Sequence, residues 1–185
     1  NVAEDSNSFN PYQHNKKTLA REWAIPGMKG FEHRIGGLEK ANITGNVSYD
    51  PDNHHYMVEH RQRKVDIVAN YIPKSEPFGD NSGELLVLGW GGTYGAIRSA
   101  VEKAQNKGYS VSHLHLRHLN PFPSNLGEIL VNYKNVLVPE LNLGQLNTLI
   151  RSQFLIDTKS YNLVAGKPFT SSEILIEIEK IIQEK

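Results

Sequence analysis

The chain has 185 residues, 38% of them hydrophobic and 22% charged, the proportions of a folded globular protein with room for one well-packed domain and an extension. Twenty Lys and Arg balance twenty Asp and Glu, so the net charge is zero and no long-range field draws the chain to nucleic acid or an acidic membrane. The absence of cysteine excludes disulfides, thiolate-held zinc, thiolate-held iron–sulfur clusters and thiol catalysis within these residues. No apolar run approaches the roughly 18 residues that span a bilayer, and the polar start NVAEDSNSFN lacks the apolar core of a secretory signal. These features predict a soluble, cytoplasmic protein. The first residue is Asn1 and not an initiator methionine, so the expectation is a piece of something longer.

Residues 1–50 are polar and punctuated by Pro26-Gly27, Gly36-Gly37 and Thr44-Gly45, which predicts loops with a short strand near Phe31 to Ile35. Asp50 followed by Pro51 supplies an N-cap acceptor and a proline suited to the first helical position. A helix should therefore run from about 51 to 71, with Met57, Val58, Val65, Val68, Ala69 and Ile72 forming its apolar stripe. His54, His55 and His60 lie on that helix, but none stands four residues from another as a metal-binding helical pair would. The stretch PKSEPFGDNSG from Pro73 to Gly83 reads as a linker, which divides the chain into an extension over 1–83 and a domain over 84–185.

Beyond that linker, strands and helices alternate. Strands are expected at Leu85 to Gly89, Ser110 to Leu116, Asn135 to Pro139 and near Ser160 to Val164. Helices are expected at Thr93 to Asn106, Ser124 to Tyr133, Gly144 to Phe154 and Ser171 to about Gln183, the last opened by a capping box of Thr170 and Glu173. Such alternation implies right-handed crossovers and an α/β fold whose mostly parallel sheet carries helices on both faces.

The turn after the first of these strands, GWGGTYG from Gly89 to Gly95, has free N–H groups that could meet a phosphate or carboxylate, which makes Gly91, Gly92, Thr93 and Tyr94 a candidate anion site beside the plainer reading of a tight strand-to-helix turn. A nicotinamide cofactor is disfavoured because the last glycine falls one residue late for the dinucleotide fingerprint, and Arg117 and His118 stand where that fold wants an acidic residue. No Lys-Ser or Lys-Thr follows the glycines, so the turn is not a P-loop. His113 and His115 share one face of a strand, and Arg117 extends the row. A cationic row on a strand suggests a position at the sheet edge or against a partner, with Glu140 as a candidate ion-pair partner of Arg117. His33 and Arg34, set beside Glu32 between glycines, complete the candidate interface residues, with proton transfer by a His–Glu pair as the functional alternative.

The blocks LVLGWGGTYGAIRSAVEKA, HLHLRHLNPFPSNLGEIL, VLVPELNLGQLNTLIR and NLVAGKPFTSSEIL resemble, in order, the C-terminal half of the alpha subunit of 2-oxoacid:ferredoxin oxidoreductases, most closely the 2-oxoglutarate type. The upstream block REWAIPGMKGFEHRIGGLEKANITGNVSYDPDNHHYMVEHRQRKV resembles the same family, so the likeness covers nearly everything after about Leu19. LRHLNPFP is more distantly similar to the C-terminal domains of transketolases and of the beta subunits of 2-oxoacid dehydrogenases.

This resemblance implies a three-layer α/β/α sandwich like the transketolase C-terminal domain, its sheet mostly parallel with one antiparallel edge strand. It further implies an enzyme complex that oxidatively decarboxylates a 2-oxo acid to its acyl-CoA with thiamine diphosphate and magnesium, passing electrons through iron–sulfur clusters to ferredoxin. No cofactor is expected on these residues, which show neither a GDG-type segment nor a cysteine; residues 1 to about 50 would then close a preceding thiamine pyrimidine-binding domain. The expected role is an assembly domain, inactive alone, whose partners are upstream domains of the same subunit and a thiamine-binding beta subunit, with ferredoxin and coenzyme A serving the whole complex. The rival readings are a free-standing anion- or nucleotide-binding regulatory module and a subunit of a lipoamide-linked 2-oxoacid dehydrogenase. The family commonly has a serine where this chain has Gly92, which leaves Thr93 as the hydroxyl of the turn.

Overall fold

A computed structural model describes residues 1–184. The chain divides into two compact units, residues 1–71 and 72–185.

In the first unit the regular element is helix α1, Pro51–Asp66, followed by a 3-10 turn over Ile67–Asn70. Asp50 accepts from the backbone N–H groups of Asp52 and Asn53, and Pro51 stands at the first helical position, the cap that the sequence requires. The rest of the unit is turns joined by isolated bridges such as Tyr12 with Ile43, His14 with Arg21 and Lys40 with Val47. The strand expected near Phe31 to Ile35 does not form. Gly27 and Gly30 take positive φ values just upstream of it, so the chain turns where a ladder would start.

The second unit is a four-stranded sheet of β1 (Gly83–Trp90), β2 (Val111–Leu116), β3 (Tyr133–Glu140) and β4 (Thr158–Asn162) in the order β2-β1-β3-β4, with all three ladders parallel. The helices are α2 (Tyr94–Asn106), α3 (Leu126–Leu130), α4 (Gln145–Phe154) and α5 (Ser171–Gln183). The antiparallel element at the edge is one residue pair: Phe78 and His113 exchange backbone N–H to O bonds of 2.8 and 2.9 Å beyond β2.

Leu85, Leu86, Val87 and Leu88 are fully buried because β1 is central and covered on both faces. Leu85 and Val87 pack with Ile97, Val101, Ile174 and Ile178 on the α2 and α5 side. Leu86 and Leu88 pack with Leu126, Leu130, Leu146 and Ile150 on the α3 and α4 side. Burying each such side chain contributes about 1.5–3 kcal/mol, so the apolar run of β1 ties the three layers together.

The third helix is shorter than the sequence suggests. Asn125 precedes it, a turn follows Leu130, and Tyr133 is the first residue of β3 rather than the helix end. Residues 72–82 belong with the second unit: Ser75 and Asn125 exchange two hydrogen bonds, and the Asp80 carbonyl accepts from the hydroxyls of Ser112 and Tyr133.

Candidate functional site

Two features occupy the C-terminal end of the sheet. The first lies where strand order reverses, between β1 and β3, the crevice in which open α/β sheets ordinarily take ligands. Here the chain fills it with its own carboxylate. Glu140 ends β3 fully buried, and its Oε1 accepts from the Trp90 indole N–H at 3.3 Å, the Asn142 amide at 3.1 Å and the Leu146 N–H at 2.9 Å. Its Oε2 accepts from the Asn147 N–H at 3.0 Å. Leu146 and Asn147 lie in the first turn of α4, so the carboxylate meets two of the N–H groups that a helix start leaves free, with the helix dipole in its favour. Asn142 completes the corner by accepting from the N–H groups of Gly144 and Gln145. Glu140 is therefore spoken for and is not the ion-pair partner of Arg117. The residue lies in the reach of α4, whereas Arg117 lies exposed beyond the end of β2.

The glycine turn after β1 is a 3-10 turn over Gly91–Thr93 leading into α2. Gly91 has φ +58, and both Gly91 and Gly92 are exposed with open space beside them. Thr93 is buried and works inward: its hydroxyl donates to the Trp90 carbonyl at 2.8 Å and accepts from the Trp90 N–H at 3.3 Å, knotting the corner. The glycine that matters for packing is Gly89, where an added Cβ would come within 2.5 Å of Ile97 Cδ1 and 3.2 Å of His115 Nδ1. Tyr94 turns toward β2, its ring 5.4 Å from His113 and 5.1 Å from His115.

The second feature is a cleft of about 390 Å³ on the α2 side of β2, lined by Lys74, Phe78, Tyr94, Arg98, His113, His115, Arg117 and His118 among others. His113 and His115 do share one face, their rings 5.7 Å apart, and β2 is an edge strand, as a row of polar residues requires. The row is not cationic at His113, however. With 2% of its surface exposed, burial pushes that imidazole down to about 3, helped by His115 and Arg98. Burial also lowers His115. His113 Nε2 and His115 Nδ1 are buried without hydrogen-bond partners, a state that costs about 1–3 kcal/mol for each unmet polar group. Arg98 lies over the Phe78 ring at 3.1 Å and donates to Glu102 at 2.8 Å. Neither Phe78 nor Arg98 stands out in the sequence, because the bridge that brings Phe78 to His113 is a single residue pair with no periodicity to announce it.

His33 and Arg34 lie in the first unit. His33 is half-buried, its Nδ1 2.9 Å from the Phe31 carbonyl and its ring 5.7 Å from Phe9, while Arg34 is exposed. Glu32 turns away to accept from the Gly30 N–H, so the two do not form a proton-transfer pair. The charged centre of this unit is elsewhere: Glu39 accepts from Arg61 through both carboxylate oxygens and lies 2.7 Å from His54 Nδ1. The Arg61 guanidinium first, then His54, hold the Glu39 carboxyl at about 2.

Residues 83–174 match the family model for pyruvate:ferredoxin oxidoreductase core domain II. The chain is 49% identical over 175 residues to the 2-oxoglutarate oxidoreductase subunit KorA of Mycobacterium tuberculosis, covering 93% of this chain and 26% of that protein. It is 29% identical over 147 residues to the alpha subunit of 2-oxoacid:ferredoxin oxidoreductase 1 of Aeropyrum pernix, covering 75% of this chain and 23% of that one. The chain thus spans about a quarter of the length of these relatives. Among solved structures it superposes on 2-oxoglutarate:ferredoxin oxidoreductase from Magnetococcus marinus with a TM-score of 0.89 at 27% identity, covering 98% of this chain and 32% of that one. The chain belongs to the alpha-subunit family of 2-oxoacid:ferredoxin oxidoreductases.

Proposed function

We propose that this chain is the assembly domain, in the C-terminal part, of the alpha subunit of an oxidoreductase that converts 2-oxoglutarate or a related 2-oxo acid and coenzyme A to an acyl-CoA, with electrons passed to ferredoxin. The observation that carries the reading is the 49% identity, across 93% of the chain, to a protein named 2-oxoglutarate oxidoreductase subunit KorA. The ferredoxin-linked names of the matched family and relatives favour it over a lipoamide-linked dehydrogenase.

Thiamine diphosphate, magnesium and iron–sulfur clusters belong to that chemistry, and the residues present do not fit them. There is no cysteine to ligate a cluster, and no group of three or more His, Asp or Glu among the described residues is placed to hold a metal ion. The crevice that would take a diphosphate holds Glu140 on the α4 amides. The cofactors then sit on other parts of the assembly, and this domain contributes packing surface toward upstream domains of its own subunit and a thiamine-binding beta subunit. Residues 1 to about 50 would belong to the end of the pyrimidine-binding domain that precedes it.

The test is co-expression with the remaining alpha segment and the beta subunit, followed by assay of 2-oxo acid decarboxylation with an artificial electron acceptor. Activity is expected only when all parts are present. Turnover by the 185 residues alone, or full activity of the other parts without them, would overturn the reading.

A further inference from the structure

Four cationic or basic side chains converge on the cleft beside β2 from three separate stretches of chain: Lys74 before the sheet, Arg98 on α2, and Arg117 and His118 after β2. Glu76 is the one carboxylate among the lining residues. Lys74 and Arg117 take part in none of the ion pairs among the described residues, so their charge is available to a ligand. His113 lies at the base of this cleft, 2% exposed, with Nε2 unpartnered. Such a group in a folded protein calls for a partner that binds there, since a buried donor or acceptor is otherwise a standing loss. Tyr94 and Phe78 present aromatic surface beside it, and the cleft volume of about 390 Å³ suits a compact molecule better than a polypeptide segment.

We propose that this cleft binds a small molecule bearing a phosphate group, with Lys74 and Arg117 on the phosphate, His113 as a hydrogen-bond partner and Tyr94 against a planar ring. Arginine and lysine together give the bidentate and point-charge contacts that phosphate oxygens take. An uncharged imidazole can stand among these cations without repelling them, and it still offers one donor or acceptor. The crevice between β1 and β3 is closed to such a ligand by Glu140, which leaves the edge of the sheet as the open place. The inference does not depend on the catalytic reading, because binding and not turnover reports it.

The experiment is isothermal titration of the protein in its native assembly with ADP, inorganic phosphate and adenosine, coenzyme A and thiamine diphosphate being present at saturation to fill any sites the assembly has for them. ADP is expected to bind, phosphate more weakly and adenosine undetectably, with Lys74→Ala and Arg117→Ala each weakening ADP by about tenfold. Phosphate binding as tightly as ADP, with the same loss in both variants, would overturn the ring contact at Tyr94 and make the free anion the ligand. A parallel titration with an acidic peptide separates the macromolecular case. No binding by either phosphorylated probe, binding unchanged in both variants, or binding of the peptide alone would overturn the proposal. Because both substituted residues are exposed, thermal unfolding of the variants should match the parent.

Discussion

Glu140 shows what one buried carboxylate does when it takes the place of a ligand. Its two oxygens accept four N–H donors, two of them from α4, so the first turn of that helix is satisfied by a residue seven positions or fewer upstream. Glu140→Gln keeps the size but replaces an acceptor by an amide that must face a donor from Trp90, Asn142, Leu146 or Asn147. The expected loss is about 2–3 kcal/mol, the range for charge-assisted bonds and an unmet buried N–H, read as a lower urea midpoint with an unchanged slope. Glu39 predicts a pH dependence instead. Its carboxyl is held at about 2 in the folded chain by Arg61 and then His54, against an ordinary value of 4.5, so folding binds fewer protons there. The stabilisation is present above about 4.5 and is lost as the pH falls toward 2. Glu39→Gln should flatten the acid limb of the unfolding curve in that window, and an unaltered limb would refute it.

At the scale of elements, the corner between β1 and α2 separates two kinds of glycine that look alike in the sequence. Gly89→Ala should cost about 1–3 kcal/mol, because a Cβ there meets Ile97 at 2.5 Å in a packed core. Gly92→Ser has open space and should change stability by less than about 0.5 kcal/mol. Thermal unfolding of the two variants side by side checks both. The same contrast explains what the sequence reveals and what it hides. The apolar run of β1, the Asp50-Pro51 start of α1 and the Thr170/Glu173 box of α5 each carry their signal within a few adjacent residues, and each forms where the pattern places it. The contacts of Glu140 and the Phe78–His113 bridge join residues 50, 35 or only a few positions apart through tertiary geometry, and no periodicity encodes them. His113 likewise reads in sequence as part of a basic row, and only its tertiary setting, burial first and then the neighbouring His115 and Arg98, lowers its imidazole to about 3.

For the molecule as a whole, the two units differ sharply in how they are held together, and that difference places the boundary. Among the described residues of the first unit, the buried apolar side chains are Ala3, Leu19, Phe31 and Met57, with the buried Lys40 donating to the carbonyls of Gly36 and Leu38. Four apolar residues cannot offset the conformational entropy of 71 residues, about 1–2 kcal/mol each for the backbone alone. The second unit has a continuous core on both faces of its sheet. Residues 72–185 expressed alone should therefore unfold in one cooperative transition, while 1–71 alone should show little far-UV signal. We place the domain boundary at Tyr71 and Ile72, ahead of the Pro- and Gly-rich stretch, and a comparison of two truncations tests it. Starting at Glu84 removes the Ser75–Asn125 pair, both Phe78–His113 bonds, the Asp80 carbonyl that Ser112 and Tyr133 donate to, and the ring under Arg98. At about 0.5–1.5 kcal/mol for each hydrogen bond, the 84–185 fragment should be less stable than 72–185 by at least about 3 kcal/mol. Equal denaturant midpoints for the two would move the boundary to the linker and make residues 72–82 a mere tether.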